Sequence, residues 1–403
     1  MSIDIEYIYN LYSFIMHILI IGGTGVLSSA VASEAIKKGI KITMINRGRH
    51  SVPENVELIK SDRNNYDFIK KSLDGRTFDA VLDFLCYSDK ETEESVRRYS
   101  PYTRQYFFIS SCAVYNTEKM AGKPCKEDDV KSLPIWEYSV NKWKSELKIH
   151  SLFEKIDCNY TIIRPCVTYG NTRIPYGISP EYRYHWTLIA RILAGKPIIR
   201  WNGGNNRCNM TRVEDFAVGV VGLIGNKKAY NEAFNVCGDE TPSWNDVLDK
   251  ISKIIGKKIK IIDIPSEFYA KELPSRKGEI LGGRSIDAIM DNSKIKSIVP
   301  EFRQTIYIEE GIQKTIEAYK QNNFEEGIDW KFDADTDRII AKWCKQNKSK
   351  ISDLNLLFID YLHTARNKER IIYFMEKHKD MVIFRMIRKV RFVIHRLKNI
   401  LFH

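Results

Sequence analysis

No uninterrupted apolar run in the 403 residues is long enough to cross a bilayer, so no transmembrane helix is expected. Cysteine is sparse and scattered. Cys86, Cys112, Cys125, Cys158, Cys166, Cys208, Cys237 and Cys344 form no C-x-x-C pair and no Cys/His ligand spacing. That pattern excludes a disulfide scaffold and a zinc module, predicts no metal site, and points to reduced thiols in a cytoplasmic protein. The first fifteen residues carry Asp4 and Glu6 but no lysine or arginine, so they lack the basic start of a secretion signal. Residues 1–15 are expected to be an appendage or an over-long start, outside the fold.

What the chain does have is length for two domains, or for one large domain with additions, and a net charge of +12. Such a charge suits anionic small substrates, an anionic membrane surface or nucleic acid. No basic motif with interleaved aromatics is present, so nucleic acid is not expected as a partner.

Ile18-Leu-Ile-Ile runs into Gly22-Gly-Thr24-Gly25, and a helical pattern follows at once through Val26, Leu27 and Ala30. A strand, a glycine turn and a helix N-terminus together present backbone N–H groups and a helix dipole to one point, which suits a pyrophosphate. Gly22 and Gly25 are expected to supply the positive φ and the close backbone approach. Ser28 stands where the usual fingerprint has its third glycine. A second strand ends at Asn46-Arg47-Gly48, the place where a dinucleotide fold meets the adenosine ribose. An acid there would repel a 2′-phosphate, whereas the Arg47 guanidinium suits one, so NADP is expected ahead of NAD. The plainer alternative is a solvated basic loop. Val56–Asp62 is a third strand, with Asp62 placed to receive the adenine amino group. Phe78–Tyr87 is apolar enough to be buried on both faces, and Gln105–Tyr115 reads as a fifth strand running into small hydroxylic residues. Strands alternating with helices predict a doubly wound α/β parallel sheet of Rossmann type, whose chemistry sits at the carboxyl ends of the strands. Ser110 and Ser111 occupy such an end.

Tyr138 and Lys142, four residues apart on a predicted helix, share one face. An ammonium beside a phenol favours its ionised form, the arrangement needed to exchange a proton with an alcohol or ketone. Glycine turn, Ser111 and Tyr138-x-x-x-Lys142, taken in that order, resemble the short-chain dehydrogenases/reductases. Further matches at Ser110-Ser111-Cys-Ala-Val-Tyr115, Ile162–Gly170, Val213-Glu-Asp215-Phe-Ala217 and Phe234–Gly238 narrow the likeness, over roughly residues 16 to 300, to the extended NAD(P)-dependent nucleotide-sugar epimerases, dehydratases and reductases. The resemblance implies Ser111 as the hydroxyl that orients the substrate oxygen and Tyr138 as the acid/base. It implies Lys142 as the group that lowers the Tyr138 pKa and holds the nicotinamide ribose, and Pro165 as a neighbour of the nicotinamide. Gly22, Thr24, Gly25, Val26, Leu27, Asn46, Arg47 and Asp62 complete the cofactor contacts, and Cys112, Tyr169 and Arg207 fall on the substrate side.

The departures are specific. Family dehydratases place Asp-Glu after the serine or threonine; here Cys112 and Ala113 follow, and neither can do that proton work. The arginine that grips the substrate diphosphate is out of register, with Arg207 and Arg212 nearby. Ser28 and Asn46-Arg47-Gly48 resemble divergent members, including chloroplast relatives that bind RNA. The expectation is therefore a keto-sugar reductase or epimerase acting on a nucleotide sugar, with a non-catalytic RNA-binding or regulatory protein on the same fold as the alternative.

Residues 16–165 with 209–238 read as the dinucleotide-binding domain, and 166–208 with 239–324 as a smaller substrate lobe. Tyr182, Arg183, His185 and Trp186 are candidates there for stacking or phosphate contacts, or else lobe core. Residues 325–403 read as a helical extension, with a helical period from Ile351 to Phe374. Its end, Met381–His403, has no acid and keeps Ile383, Ile387, Val390, Ile394, Leu397 and Leu401 on one face. Such a helix suits either a peripheral contact with an anionic membrane or the covering of an apolar patch on its own domain or a partner subunit; a homodimer is left open.

Overall fold

The computed structural model describes residues 16–132, 134–180, 184–323, 327–348 and 365–383. The expectations for residues 1–15, for Tyr182 and Arg183, for most of Ile351–Phe374 and for the basic segment from residue 384 onward lie outside the described residues. Eleven strands are present among those described: β1 His17–Ile21, β2 Lys41–Asn46, β3 Val56–Lys60, β4 Ala80–Asp83, β5 Gln105–Ile109, β6 Asn159–Arg164, β7 Val167–Tyr169, β8 Ile198–Arg200, β9 Met210–Arg212, β10 Glu232–Asn235 and β11 Ile261–Asp263. The chain divides into two compact units.

The first unit gathers the chain up to Gly170 with Asn206–Ser243 and Gly278–Ile312. Its sheet has seven parallel strands in the order β10-β6-β5-β4-β1-β2-β3, with the order reversing between β1 and β4. The apolar runs read from the sequence feed two separate cores. In β1, Ile18 and Ile20 join the cluster under the helices Val26–Lys37 and Val213–Gly222, while Leu19 and Ile21 join the cluster on the other face. β5 divides in the same way, Phe107 and Ile109 against Tyr106 and Phe108. Successive side chains of a strand point to opposite faces, so a strand covered on both sides is apolar along most of its length. The helices Asp89–Tyr99 and Glu137–Phe153 cover that second face, contributing Val96, Tyr99 and Ile149. β7 and β9 form a separate parallel pair.

The second unit comprises Asn171–Asn205, Trp244–Lys277 and the chain from Gln313. β8 and β11 pair in parallel, and Trp201, Trp244 and Tyr176 stack nearby. His185 and Trp186 are core: the Ile174 N–H donates to His185 Nδ1 at 3.1 Å, burial first and then the Arg173 charge hold the imidazole pKa down at about 3, and Trp186 packs on Tyr319. The helix Trp330–Gln346 docks through charge. Its Asp333 and Asp337 are fully buried against Arg191 and Lys196, with Arg191–Asp333 at 2.5 Å, Arg191–Asp337 at 2.9 Å, Lys196–Asp333 at 2.7 Å and Lys196–Asp337 at 2.8 Å. Two cations and two anions balance, and the Tyr373 hydroxyl donates to Asp337 at 2.5 Å. Burial opposes ionisation of Asp337, yet the Arg191 and Lys196 charges overcome it and leave its pKa below the usual carboxylate range. Among the described residues no helix is long and apolar enough to cross a membrane.

Removing one member of such a set strands the others without water. Asp337→Ala is expected to lower the unfolding free energy by about 3–5 kcal/mol, read as a shift in the urea midpoint, with Lys377→Ala as the mild control. A loss below about 1 kcal/mol for Asp337→Ala, on the same scale, contradicts this account of the docking.

Candidate functional site

The site is assembled at the carboxyl edge of the seven-stranded sheet, where the strand order reverses. β1 ends in a turn whose left-handed residues are Gly22 (φ +107°) and Gly23 (φ +80°). This corrects the expectation for Gly25, which is extended at φ −86° and caps the helix Val26–Lys37. A Cβ on Gly23 would collide with the Met44 side chain, so the close approach belongs to Gly23. Ser28, in the third-glycine position, is buried and its Oγ accepts the Gly25 N–H at 2.9 Å. Among the described residues the N–H groups of Gly23, Thr24 and Leu27 meet no protein acceptor. Those three amides, at the positive end of a helix of twelve residues, remain available to an anion.

At the end of β2, Asn46 Oδ1 accepts the Gly48 N–H at 2.7 Å, while its Nδ2 is buried and without a partner among the described residues. Arg47 is exposed on the rim of a hollow of about 350 Å³ lined by Lys60, Ser61, Asp62, Asn65 and Phe68. One Asp62 oxygen accepts the Asn64 N–H at 3.0 Å. A second hollow, of about 260 Å³, lies between the end of β4 and the helix Asp89–Tyr99, with Arg63, Leu85 and Cys86 on its wall. The glycine cradle, the unfilled amides and the orphaned Asn46 amide all fit a dinucleotide, so the chain's residues suit the cofactor that its motifs imply.

The helix Glu137–Phe153 carries Tyr138 and Lys142 and buries Ser139, Lys142, Ser145, Glu146 and Ile149. Lys142 is 3 % exposed and its Nζ donates to Cys86 O at 2.7 Å and Ile109 O at 2.8 Å, holding it at the ends of β4 and β5. Burial brings the ammonium pKa down to about 8, against the opposing pull of nearby Cys86, Asp83 and Glu146. The half-buried Tyr138 lies on the same face, its ring centroid 6.0 Å from Lys142 Nζ and 5.4 Å from Trp136. Ser111 opens the single-turn helix Cys112–Val114, where its Oγ accepts the Ala113 N–H at 3.1 Å. Its own proton is still free to point elsewhere.

The remaining positions are placed less openly. Pro165 is buried, with its carbonyl accepting the Cys112 N–H at 2.9 Å. Cys112 is buried too. Tyr169 is 1 % exposed, covered by the Arg212 guanidinium 5.5 Å from its ring and by Gly311, where any Cβ would strike the phenol. Both are core positions. Arg207 is half exposed, its N–H donating to Asp287 at 2.9 Å and its Nε 3.9 Å from the same carboxylate.

Sequence reasoning missed the group that fixes this helix. Glu146 and Arg164 form a buried ion pair at 3.0 and 2.6 Å, and the Ser110 hydroxyl donates to Glu146. Arg164 also donates to Tyr115 OH and Glu127 O, both at 2.8 Å, and Tyr115 donates to Asn235 at 2.6 Å. The signal was present: Glu146 follows Lys142 at the interval that separates Lys142 from Tyr138.

A model of the NAD dependent epimerase/dehydratase family matches residues 18–237. The chain is 28 % identical over 254 residues to the chloroplast stem-loop binding protein of 41 kDa b of Arabidopsis thaliana, covering 59 % of this chain and 63 % of that protein. It is 18 % identical over 292 residues to the 2′-dehydrokanamycin reductase of Streptomyces kanamyceticus, covering 72 % of this chain and 80 % of the reductase. In fold it is similar to the UDP-glucuronic acid 4-epimerase of Bacillus cereus, solved with UDP-glucuronic acid and NAD, at a TM-score of 0.59 and 17 % identity over 76 % of this chain and all of the epimerase. Match and geometry agree, and the chain belongs to the NAD dependent epimerase/dehydratase family.

Proposed function

We propose that the protein is an NAD(P)-dependent oxidoreductase acting at a carbinol carbon of a nucleotide sugar, as a keto-sugar reductase or an epimerase. One observation carries the reading: Tyr138 and Lys142 share a helix face whose ammonium is tied to the ends of β4 and β5, on the sheet edge that bears the glycine turn. The bound nicotinamide supplies hydride acceptance and return. Tyr138 takes or gives the hydroxyl proton in step with that transfer. Two of the three Lys142 protons are spent on carbonyls, which leaves one for the nicotinamide ribose. Ser111 receives the Ala113 N–H on its oxygen and so turns its own proton to the substrate oxygen. Arg207 is the candidate for the substrate diphosphate. Cys112 and Ala113 provide no acid or base, which speaks against a dehydratase. Arg47 beside its hollow favours NADP.

A second reading follows from the chloroplast relative, which its name describes as binding a stem-loop, and from the net charge of +12. On that reading the fold is kept and turnover is lost. Titration with a stem-loop RNA against NADP, at two salt concentrations, separates the two: salt-steep RNA binding without cofactor binding favours the second.

Tyr138→Phe is expected to cut turnover on a panel of nucleotide sugars by about 10²–10⁴-fold while leaving cofactor affinity unchanged by calorimetry. Full activity in that variant overturns the assignment. Arg47→Ala is expected to weaken NADP roughly tenfold to a hundredfold and NAD hardly at all, since one charge-assisted contact is lost. The Lys142 pKa near 8 sets a pH dependence. Its charged form binds the ribose below that pH and is lost above it, so cofactor affinity should fall as pH rises through about 8, and the Lys142→Met profile should be flat there. The same depression means that the folded state holds fewer protons than the unfolded one between about 8 and the usual lysine range. Stability from this group therefore rises with pH across that window.

A further inference from the structure

The first turn of the helix Glu137–Phe153 carries Tyr138 but starts without the usual anchor. Trp136 stands at the N-cap, where serine, threonine, aspartate and asparagine are preferred, and no side-chain hydrogen bond caps the turn from that position. The Trp136 carbonyl accepts the Val140 N–H at 3.1 Å, the first bond of the helical ladder. Glu146 and Arg164 set the rotation of the helix about two turns further on.

The Trp136 indole holds the start of the helix by packing. Residues two apart within a helix do not face each other. Here the backbone at Trp136 is extended, at φ −113° and ψ 103°, and the indole comes to 5.4 Å from the Tyr138 ring, centroid to centroid, at an interplanar angle of 44°. The same indole is seated on residues 278–284. A Cβ at Gly283 would stand 2.6 Å from its Cζ3, and one at Gly278 would stand 2.9 Å from its Cδ1 and 2.8 Å from the Ile135 carbonyl oxygen. Neither glycine has a positive φ, so the requirement at both is space for the tryptophan. The seat has anchors of its own. Ile280–Arg284 is a π-helical turn, a rare form that recurs at functional sites, and Ile280 is fully buried. Just beyond it the Ala288 N–H donates to Arg207 O and the Cys125 N–H to Ile289 O, both at 2.8 Å.

With Tyr138 as the acid/base, we infer that Trp136 is its positioning residue: seated on Gly278 and Gly283 and packed against the phenol, the indole holds the first helical turn at the sheet edge. This role depends on the proposed function of Tyr138 and deepens it. Trp136 moves no proton itself; it removes freedom from the group that does. A misplacement of about 1 Å at a reacting group costs on the order of a hundredfold in rate, so loss of the indole falls on turnover rather than on binding.

In the full-length protein, Trp136→Ala is expected to lower kcat about 10–100-fold on the nucleotide sugars that the wild type turns over, with KM and cofactor affinity within about threefold of wild type. Trp136→Phe keeps an aromatic ring in the seat and is expected to recover most of the loss. Gly283→Ala attacks the same contact from the opposite partner: its methyl displaces the indole, so kcat should fall about tenfold in the wild-type background and hardly at all in Trp136→Ala, where the seat is already empty. Hydrogen exchange read by mass spectrometry needs no substrate. Exchange at Val140 and the next amides should quicken at least about tenfold in Trp136→Ala while the helix beyond Glu146 keeps its wild-type rate. Wild-type kcat in Trp136→Ala, additive effects of Trp136→Ala and Gly283→Ala, or unchanged exchange in the first turn would each overturn the assignment, as would faster exchange along the whole helix, the mark of a merely structural role. If Trp136→Ala does not fold, Gly283→Ala decides, and wild-type kcat there has the same force. Tyr138→Phe keeps the two failures apart. Full activity in that variant, or a wild type that turns over none of the sugars, sinks the acid/base and its positioning residue together; an inactive Tyr138→Phe beside a fully active Trp136→Ala sinks the positioning role alone.

Discussion

The arrangement of the site depends on one buried ion pair. Arg164, at the end of β6, and Glu146, on the helix Glu137–Phe153, meet where water is excluded, and each oxygen of the carboxylate receives a guanidinium proton. A pair of this kind contributes little net stability, because desolvation cancels much of the attraction. It does fix a rotation. The helix can present Glu146 to Arg164 in one orientation only, and that orientation turns Lys142 towards the carbonyls of Cys86 and Ile109 and sets Tyr138 above it on the same face. Ser110 joins the same carboxylate, so the strand that carries Ser111 is tied to the helix that carries Tyr138.

The sheet was legible because its central strands carry continuous apolar runs. A strand with two covered faces is apolar along most of its length, and Ile18–Ile21 in β1, Ala80–Leu82 in β4 and Tyr106–Ile109 in β5 announce themselves by that continuity. The glycine turn was legible in position but not in detail. Which glycine carries the positive φ depends on what lies behind it, and the Met44 side chain that forbids a Cβ on Gly23 comes from the neighbouring strand. The helix Glu137–Phe153 hides its inward face for the opposite reason. Its buried stripe of serine, lysine and glutamate looks like a solvated surface to any reading based on apolar period. The return of Gly278–Ile312 to the first unit was not legible at all. It rests on isolated bridges such as Cys125 to Met290 and Cys208 to Ala288, and on Ile295, Val299 and Phe302 completing a core begun nearly three hundred residues earlier. No local pattern records such a pairing.

Electrostatics in the first unit follow a division between fixed and available groups. Arg164 and Arg212 are buried and committed, the first to Glu146 and the second to Glu214 and the Gly311 carbonyl. Lys142 is buried but only two-thirds committed, and its ammonium is held down to a pKa of about 8 by that burial. Arg47 and Arg207 are exposed, on the rim of a hollow and beside Asp287 respectively. Only groups of the last two kinds can change partners when an anion arrives. The net charge of the chain is therefore a poor guide to its ligand, and the few cations with spare protons at the carboxyl edge are a better one.

The second unit solves its own alignment in the same manner, with Asp333 and Asp337 set between Arg191 and Lys196. The repetition is informative. An apolar helix face docks by area, which is nearly indifferent to a slip of one turn, about 5.4 Å along the axis. Such a slip would carry Tyr138 and Lys142 away from the carbonyls of Cys86 and Ile109. Buried charges make slipped states costly, because each leaves an ion unpaired in a medium that cannot solvate it. A chain that accepts the desolvation cost of Glu146 and Arg164 at the root of the helix Glu137–Phe153 is specifying a single register, and that register fixes where Tyr138 and Lys142 stand against the sheet edge.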